Sequence, residues 1–251
     1  VPPPANAAFG FVPVLAYDRI GKQMSSLAIP APFNRVYRFY QTTVGKKAIM
    51  AVTGLILFGF VIGHLAGNLQ AFEGRAKMDA YGVFLRSIPA ALYFARIVIL
   101  IAVTLHIVTT VQLARLKQTA RPVAYVKKNN AAASYASRTM YWSGPIVGAF
   151  VVYHLAQFTY RLTDSRFVEG HIYDNLVITF AQPYISGLYI IAMVLLGFHL
   201  SHGFWSMFQS LGIASPAYSG YLKRLAQVLA IVITLGFISI PVGVLTGIIH
   251  Q

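Results

Sequence analysis

A chain of 251 residues that is 57% apolar and only 10% charged cannot be one water-soluble domain, where about 25% of residues carry charge. Having no cysteine, it can supply neither disulfides, thiolate-held iron–sulfur clusters nor a cysteine zinc site. Its net charge of +14 would point to nucleic acid in a soluble protein, but here the basic residues flank long apolar runs. Orientation in a bilayer accounts for them, and no nucleic-acid partner is expected.

Residues 1–43 read as an irregular arm. Prolines at 2, 3, 4, 13, 30 and 32 interrupt any helix. Phe9, Phe11, Tyr17, Phe33, Tyr37, Phe39 and Tyr40 give the arm something to bury, on a partner or along the membrane interface, since disordered tails are poor in aromatics. The start, VPPPANAAFGFVPV, does not resemble a signal peptide; a first residue of Val leaves room for a short leader before it.

Residues 44–251 are expected to form an all-α integral membrane domain of five transmembrane helices, over about 48–69, 92–113, 139–160, 184–208 and 222–249, each near the ~20 residues a crossing needs. Span one carries Gly59, Gly63 and Gly67 every four residues, on one helix face. Such a stripe serves either a close helix–helix contact or a flat cofactor lying against bare backbone. Pro241 is expected to kink span five. No soluble segment is large enough to fold independently.

Orientation follows from the connections. Six Lys/Arg lie in the N-terminal arm, six in the second connection and two in the fourth, against four in the first and two in the third. Of the six acids only Asp18 lies on the basic side; Glu73, Asp79, Asp164, Glu169 and Asp174 oppose it. Excess positive charge marks the cytoplasmic side, which places the N-terminus inside and the C-terminus outside.

Histidine recurs inside the spans: His64, His106, His154, and both His199 and His202 within LLGFHLSHGFW at 195–205. A titratable ring at that depth is costly and points to function. His64 lies 17 residues beyond Lys47, or about 25 Å along an outward-running helix. His154 precedes Arg161 by seven residues and is also in the outer half. His106, nine residues before Arg115, and His199 fall on the inner side. An outer pair, His64 with His154, and an inner pair, His106 with His199, are what two bis-histidine b haems need, with the bundle shielding each iron. Two ligands per iron leave no open position, which favours electron transfer. Zinc would need three or four ligands about one point. His202 competes with His199 as the ligand, or bonds a haem propionate, a backbone carbonyl or a quinone. His171 and His250 read as solvated residues.

Four stretches carry a resemblance: GKKAIMAVTGL at 45–55, GHLAGNL at 63–69, ARPVAY at 120–125 and above all FHLSHGFWSMFQSLG at 198–212. From about Val44 to Ile213 the chain resembles the single-chain, five-helix, dihaem cytochrome b membrane-anchor subunit of bacterial succinate dehydrogenase/fumarate reductase. That family's pattern is a histidine, three residues, then glycine, a bulky residue and an aromatic. His199 with Gly203, Phe204 and Trp205 fits it, and His202 does not. By resemblance His64, His106 and His154 take the other ligand places, with Gly63, Gly67 and Gly203 packing the haems.

The resemblance implies a subunit of succinate:quinone oxidoreductase in the bacterial cytoplasmic membrane. It would carry electrons between an iron–sulfur subunit and a membrane quinone, menaquinone being preferred. Succinate would be oxidised on a partner flavoprotein, and the arm 1–43 and connection 115–138 are the candidate docking contacts. Some members carry a glutamate two residues before the fourth-helix ligand, associated with transmembrane proton movement; here Gly197 stands there, so that pathway is not carried over. A quinone site near the outer haem, with Glu73 or Asp79 handling protons, and an inner site near the docked clusters both stay open. The rival readings are a dihaem anchor of a hydrogenase or formate dehydrogenase, and a transporter with proton-carrying histidines.

Overall fold

The computed structural model describes residues 31–120 and 135–250. It divides into an N-terminal unit ending at Gly45 and a second unit from Lys46 onward. Within the described residues there are eight α-helices and no strand.

The N-terminal unit contains α1, Ala31–Gln41, so this part of the arm is helical rather than irregular. Pro30 and Pro32 flank its first residue, where a missing N–H interrupts nothing. The rest of the arm, with Phe9, Phe11 and Tyr17, lies outside the described residues. At the end of α1 one hydroxyl serves two helices. Thr42 Oγ1 donates to the Phe39 carbonyl at 2.7 Å and accepts the Gly45 N–H at 2.9 Å, the latter being the N-cap bond of the next helix. Only glycine fits at 45, because a Cβ there would run into the Phe39 carbonyl.

The next helix, α2, covers Thr43–Leu69 and tightens into a 3-10 turn over Gln70–Glu73. There follow α3, Arg75–Ser87, and α4, Pro89–Thr119. Beyond the undescribed 121–134 come α5, Tyr135–His154, with a π-helical continuation Leu155–Thr159, and α6, Ile172–Phe180. The last two are α7, Pro183–Ser210, and α8, Ser219–Leu245. Pro89 and Pro183 open their helices, where the ring's fixed φ suits the first turn. The helix α8 continues through Pro241 to Leu245.

Four segments are long and apolar enough to cross a membrane: Thr43–Glu73, Pro89–Thr119, Pro183–Ser210 and Ser219–Leu245. The expected third span is also helical, as α5, but Ser137, Arg138, Thr139 and Ser143 dilute its first half, and it is not among the four. The connections on the acid-bearing side, expected as loops, hold two helices, α3 and α6.

These helices build a cap where α2, α5 and α8 end and α4 and α7 begin. Tyr173, Leu176, Val177 and Phe180 of α6 are buried with Met78 of α3, Tyr189 of α7 and Val244 and Ile249 at the C-terminal end. Asp79 Oδ1 accepts the Tyr173 N–H at 3.0 Å, satisfying a donor that the first turn of α6 leaves without an intrahelical partner. Arg75 pairs with Asp174 at 2.7 Å, and Tyr173 donates from its hydroxyl to the His250 carbonyl at 2.9 Å. Asn175 clasps the preceding loop by accepting the Val168 N–H and donating to the Val168 carbonyl.

Along the bundle the closest seams join α7 to α8 and α5 to α7. Gly197 of α7 lies so close to Thr234 of α8 that a Cβ would collide with its hydroxyl. The helices α2 and α4 share no comparable seam with the other long helices. The helix α2 reaches the rest of the bundle through longer side chains, such as Leu65 against Gly236 and Phe58 against Phe204 at 4.6 Å.

Candidate functional site

Four histidines from four different helices come together as two pairs. The rings of His64 on α2 and His154 on α5 have centres 5.7 Å apart and stand nearly perpendicular, at 84°. The rings of His106 on α4 and His199 on α7 are 6.2 Å apart at 63°.

Three helices act as rulers between the pairs. On α2, a Cβ at Gly54 would lie 3.4 Å from His106, and His64 follows ten residues later. On α5, a Cβ at Gly144 would lie 3.9 Å from His199, and His154 follows ten residues later. On α7, Tyr189 touches His154 and precedes His199 by ten residues. Ten residues of α-helix span about 15 Å, so three separate chains of contact give the same spacing of the two levels.

The surroundings differ between levels. His154 is ringed by Phe150, Phe158 and Tyr189, with centres at 5.9, 5.4 and 6.0 Å. His64 stacks on Phe60 at 5.4 Å and faces Phe237 of α8 at 6.0 Å. The Nδ1 of His154 is 3.2 Å from the Tyr189 hydroxyl, which donates to Gln157 Oε1 at 2.8 Å. Gln157 belongs to the π-helical turn directly after His154 and is 1% exposed. A π turn inserts one residue per turn, often at a functional site. The segment ends with Arg161 in the left-handed region, at φ 54°, and the Leu162 N–H returning to the Ala156 carbonyl, a Schellman-like stop.

At the other level His106 Nδ1 lies 3.3 Å from Thr53 Oγ1 of α2. Among the described residues, His199 Nδ1 is buried and has no hydrogen-bond partner, a condition that in a protein interior asks for an explanation.

A metal–imidazole bond is about 2 Å on each side, so two rings sharing one iron have centres on the order of 6 Å apart. Both pairs meet that spacing, and neutral imidazole suits haem iron. The loose packing of α2 and α4 leaves side chains rather than backbone between the helices that carry the pairs, and an orphaned ring nitrogen lies at one pair. The donor set and its spacing therefore fit two bis-histidine haems.

The glycines divide. Gly67 lies against the Tyr81 ring of α3, where a Cβ would come within 2.8 Å, which is the close-contact use of the stripe. A Cβ at Gly59, Gly63 or Gly203 meets nothing within 4 Å. His202 is half-buried one turn beyond His199 on α7. His171 is exposed and lies 3.5 Å from Asp174, and His250 is exposed at the C-terminal end.

Of the candidate proton-handling acids, Asp79 is engaged by Tyr173 and Glu73 faces Lys77 at 3.8 Å on the surface. Outside the spans, Arg166 donates twice to the Asp164 carboxylate, at 2.9 and 2.6 Å, and holds its pKa down to about 2. Most of the candidate docking connection 115–138 falls outside the described residues.

Sequence reading attended to titratable rings and passed over Thr53, Gln157, Thr179 and Tyr189. For Tyr189 the available signal was the ten-residue interval to His199, the same that separates Gly54 from His64 and Gly144 from His154; Thr53, Gln157 and Thr179 carry no such mark. Compared with protein-family models, curated proteins and solved structures, the chain has no significant match.

Proposed function

We propose that the chain is the dihaem cytochrome b membrane anchor of a bacterial succinate:quinone oxidoreductase, crossing the cytoplasmic membrane five times with α5 as the third crossing. The observation that carries the haem reading is the pair of histidine pairs, each with ring centres near 6 Å, at two levels that three helices space alike. The family reading rests on the resemblance around His199 and Gly203. The N-terminus and the 121–134 connection lie on the cytoplasmic side, and the cap built by α3 and α6 lies outside.

His64 and His154 would hold an outer haem b, and His106 and His199 an inner one, and haem held by two imidazoles would supply single-electron transfer. The chain's own residues set the conditions for that exchange: four imidazoles fix the two levels, and Phe60, Phe150, Phe158 and Phe237 exclude water from the outer one. An iron–sulfur subunit docks on the basic side, a flavoprotein beyond it oxidises succinate, and a quinone, menaquinone by preference, exchanges electrons within the membrane.

The test is a dithionite-reduced minus oxidised absorbance spectrum of the purified complex with a haem-to-protein ratio. Two b-type haems per chain, with a succinate-reducible flavin on a co-purifying subunit, are expected. Absence of b-type bands overturns the cytochrome reading. Two haems accompanied by a hydrogenase or formate dehydrogenase subunit overturn the succinate assignment alone.

A further inference from the structure

We infer that Tyr189 is a positioning residue for the outer pair, holding His154 in the tautomer whose Nε2 carries the lone pair, and that it can do so only because Gln157 Oε1 accepts the hydrogen bond of the tyrosine O–H. The inference rests on the haem reading of that pair and names residues that the reading alone does not require.

The direction of each hydrogen bond follows from donor counting. A backbone carbonyl can only accept, and Thr179 Oγ1 donates to the Asn175 carbonyl at 2.7 Å. With its one proton used, Thr179 Oγ1 is left to accept, and it receives Gln157 Nε2 over a long 3.5 Å. That orients the amide with Oε1 toward Tyr189, whose O–H donates to it at 2.8 Å. The tyrosine's only proton is now committed, so its oxygen, 3.2 Å from His154 Nδ1, must accept. The hydrogen on His154 therefore sits on Nδ1 and the lone pair on Nε2. Thr179 is 0%, Gln157 1% and Tyr189 6% exposed, which shields the chain of bonds from solvent.

The inner level obeys the same rule with different parts. Thr53 Oγ1 donates to the Ile49 carbonyl at 2.7 Å, so toward His106 Nδ1 at 3.3 Å it accepts. His106 likewise keeps its Nε2 lone pair. Two unrelated hydroxyls, on α7 and α2, each donate their hydrogen to a C=O oxygen, the Gln157 amide for Tyr189 and the Ile49 backbone for Thr53, and so present a lone pair to an Nδ1. Fixing the tautomer through the far ring nitrogen also raises ligand basicity.

Gln157 thus has a role that depends on Tyr189. Without Gln157 the tyrosine regains a proton to donate to Nδ1, which drives the ring hydrogen onto Nε2, the nitrogen that should bind iron. Without the tyrosine hydroxyl, the ring is free to take either tautomer.

The test compares wild type, Tyr189→Phe, Gln157→Leu and the double variant, each purified as the complex, by haem content and by redox titration of both haems. Tyr189→Phe should keep two haems and shift one midpoint upward, since a less basic ligand favours ferric iron less. Gln157→Leu should lose the outer haem, with retention weakened roughly tenfold or more. Adding Tyr189→Phe to Gln157→Leu should restore haem content to the Tyr189→Phe level. The inner midpoint should stay in place throughout and reports that the bundle is intact. A purely packing role predicts the double variant at least as damaged as Gln157→Leu; that result, or a Tyr189→Phe variant that moves neither midpoint, overturns the inference. A wild-type complex lacking b-type haem overturns the haem reading and this inference together, whereas a dihaem wild type whose variants break this order overturns the inference alone.

Discussion

His154 and His199 occupy equivalent places in the two pairs, yet their surroundings differ. His154 stands among three aromatic rings with its Nδ1 bonded to Tyr189, and Tyr189 is packed beneath the cap with Phe180 and Ile185. His199 is just as enclosed, but among the described residues its Nδ1 has no partner. At one pair protein groups fix the ring, whereas at the other one ring nitrogen is left without a protein partner among the described residues. A buried polar atom without a partner costs about 1–3 kcal/mol, so the pair holding His199 is the less firmly ordered of the two.

The sharpest way to break this comparison is to remove one ligand at a time. His199→Ala should leave one haem of two, with the outer haem spectroscopically intact, and His154→Ala should do the converse. Loss of both haems, or of neither, in a reduced-minus-oxidised spectrum would argue against two separate levels. Because protein groups fix the His154 ring, mild haem extraction should increase amide hydrogen exchange around Leu196–Phe204 more than around Tyr153–Phe158.

A smaller effect is expected at Thr53. Thr53→Val keeps shape but removes one hydrogen-bond partner of His106, which the Met50 backbone also engages, so metal binding should weaken by only about 10-fold. Haem titration into the depleted complex should show one weakened site, the inner one, with the outer unchanged. Weakening at both sites would mean that Thr53 acts through general packing of α2.

Beside His64 the glycine stripe divides between two uses. Gly67→Ala forces a Cβ to within 2.8 Å of the Tyr81 ring, a strain of roughly 1 kcal/mol or more. It should lower the thermal midpoint of the complex and loosen α3 in the cap. Gly63→Ala, where a Cβ meets nothing within 4 Å, should leave the thermal midpoint of haem-depleted protein unchanged. A fall in haem retention confined to Gly63→Ala would assign that glycine to the cofactor and Gly67 to the helix contact.

How much was legible depended on whether a residue's role is set along its own helix or across to another. The long apolar helices follow from hydropathy, and the pairing of His64 with His154 and His106 with His199 follows from charge asymmetry and residue rise. The helices α3 and α6 escaped the reading because short amphipathic turns between spans look like connections. Only the packing of Tyr173, Phe180 and Met78 against α7 and α8 reveals them as a cap. Ala31–Gln41 is helical despite its proline because Pro32 stands in the first turn, where a missing N–H interrupts no intrahelical bond. Gln157 was invisible for a different reason: a π turn changes which way a side chain points without any mark in composition.

The smallest expected effect lies in the connection between α5 and α6, where Arg166 donates to Asp164 through its side chain and its backbone. These bonds hold the carboxyl pKa to about 2, against an ordinary value of ~3.9. A carboxyl with a depressed folded-state pKa contributes stability that is complete above the unfolded value and is lost as pH falls through the folded one. The thermal midpoint of the complex should therefore owe nothing pH-dependent to this pair from pH 8 to 5, and should lose its contribution between about pH 4 and 2. Asp164→Asn should lower the midpoint slightly at pH 7 and flatten the acid limb. Because the pair lies in the connection outside the spans, where Asp164 also meets the Gln182 side chain, both haem midpoints should be untouched. A change in either midpoint would mean that this connection reaches the outer pair, and that the level organised by its own protein groups extends to the surface.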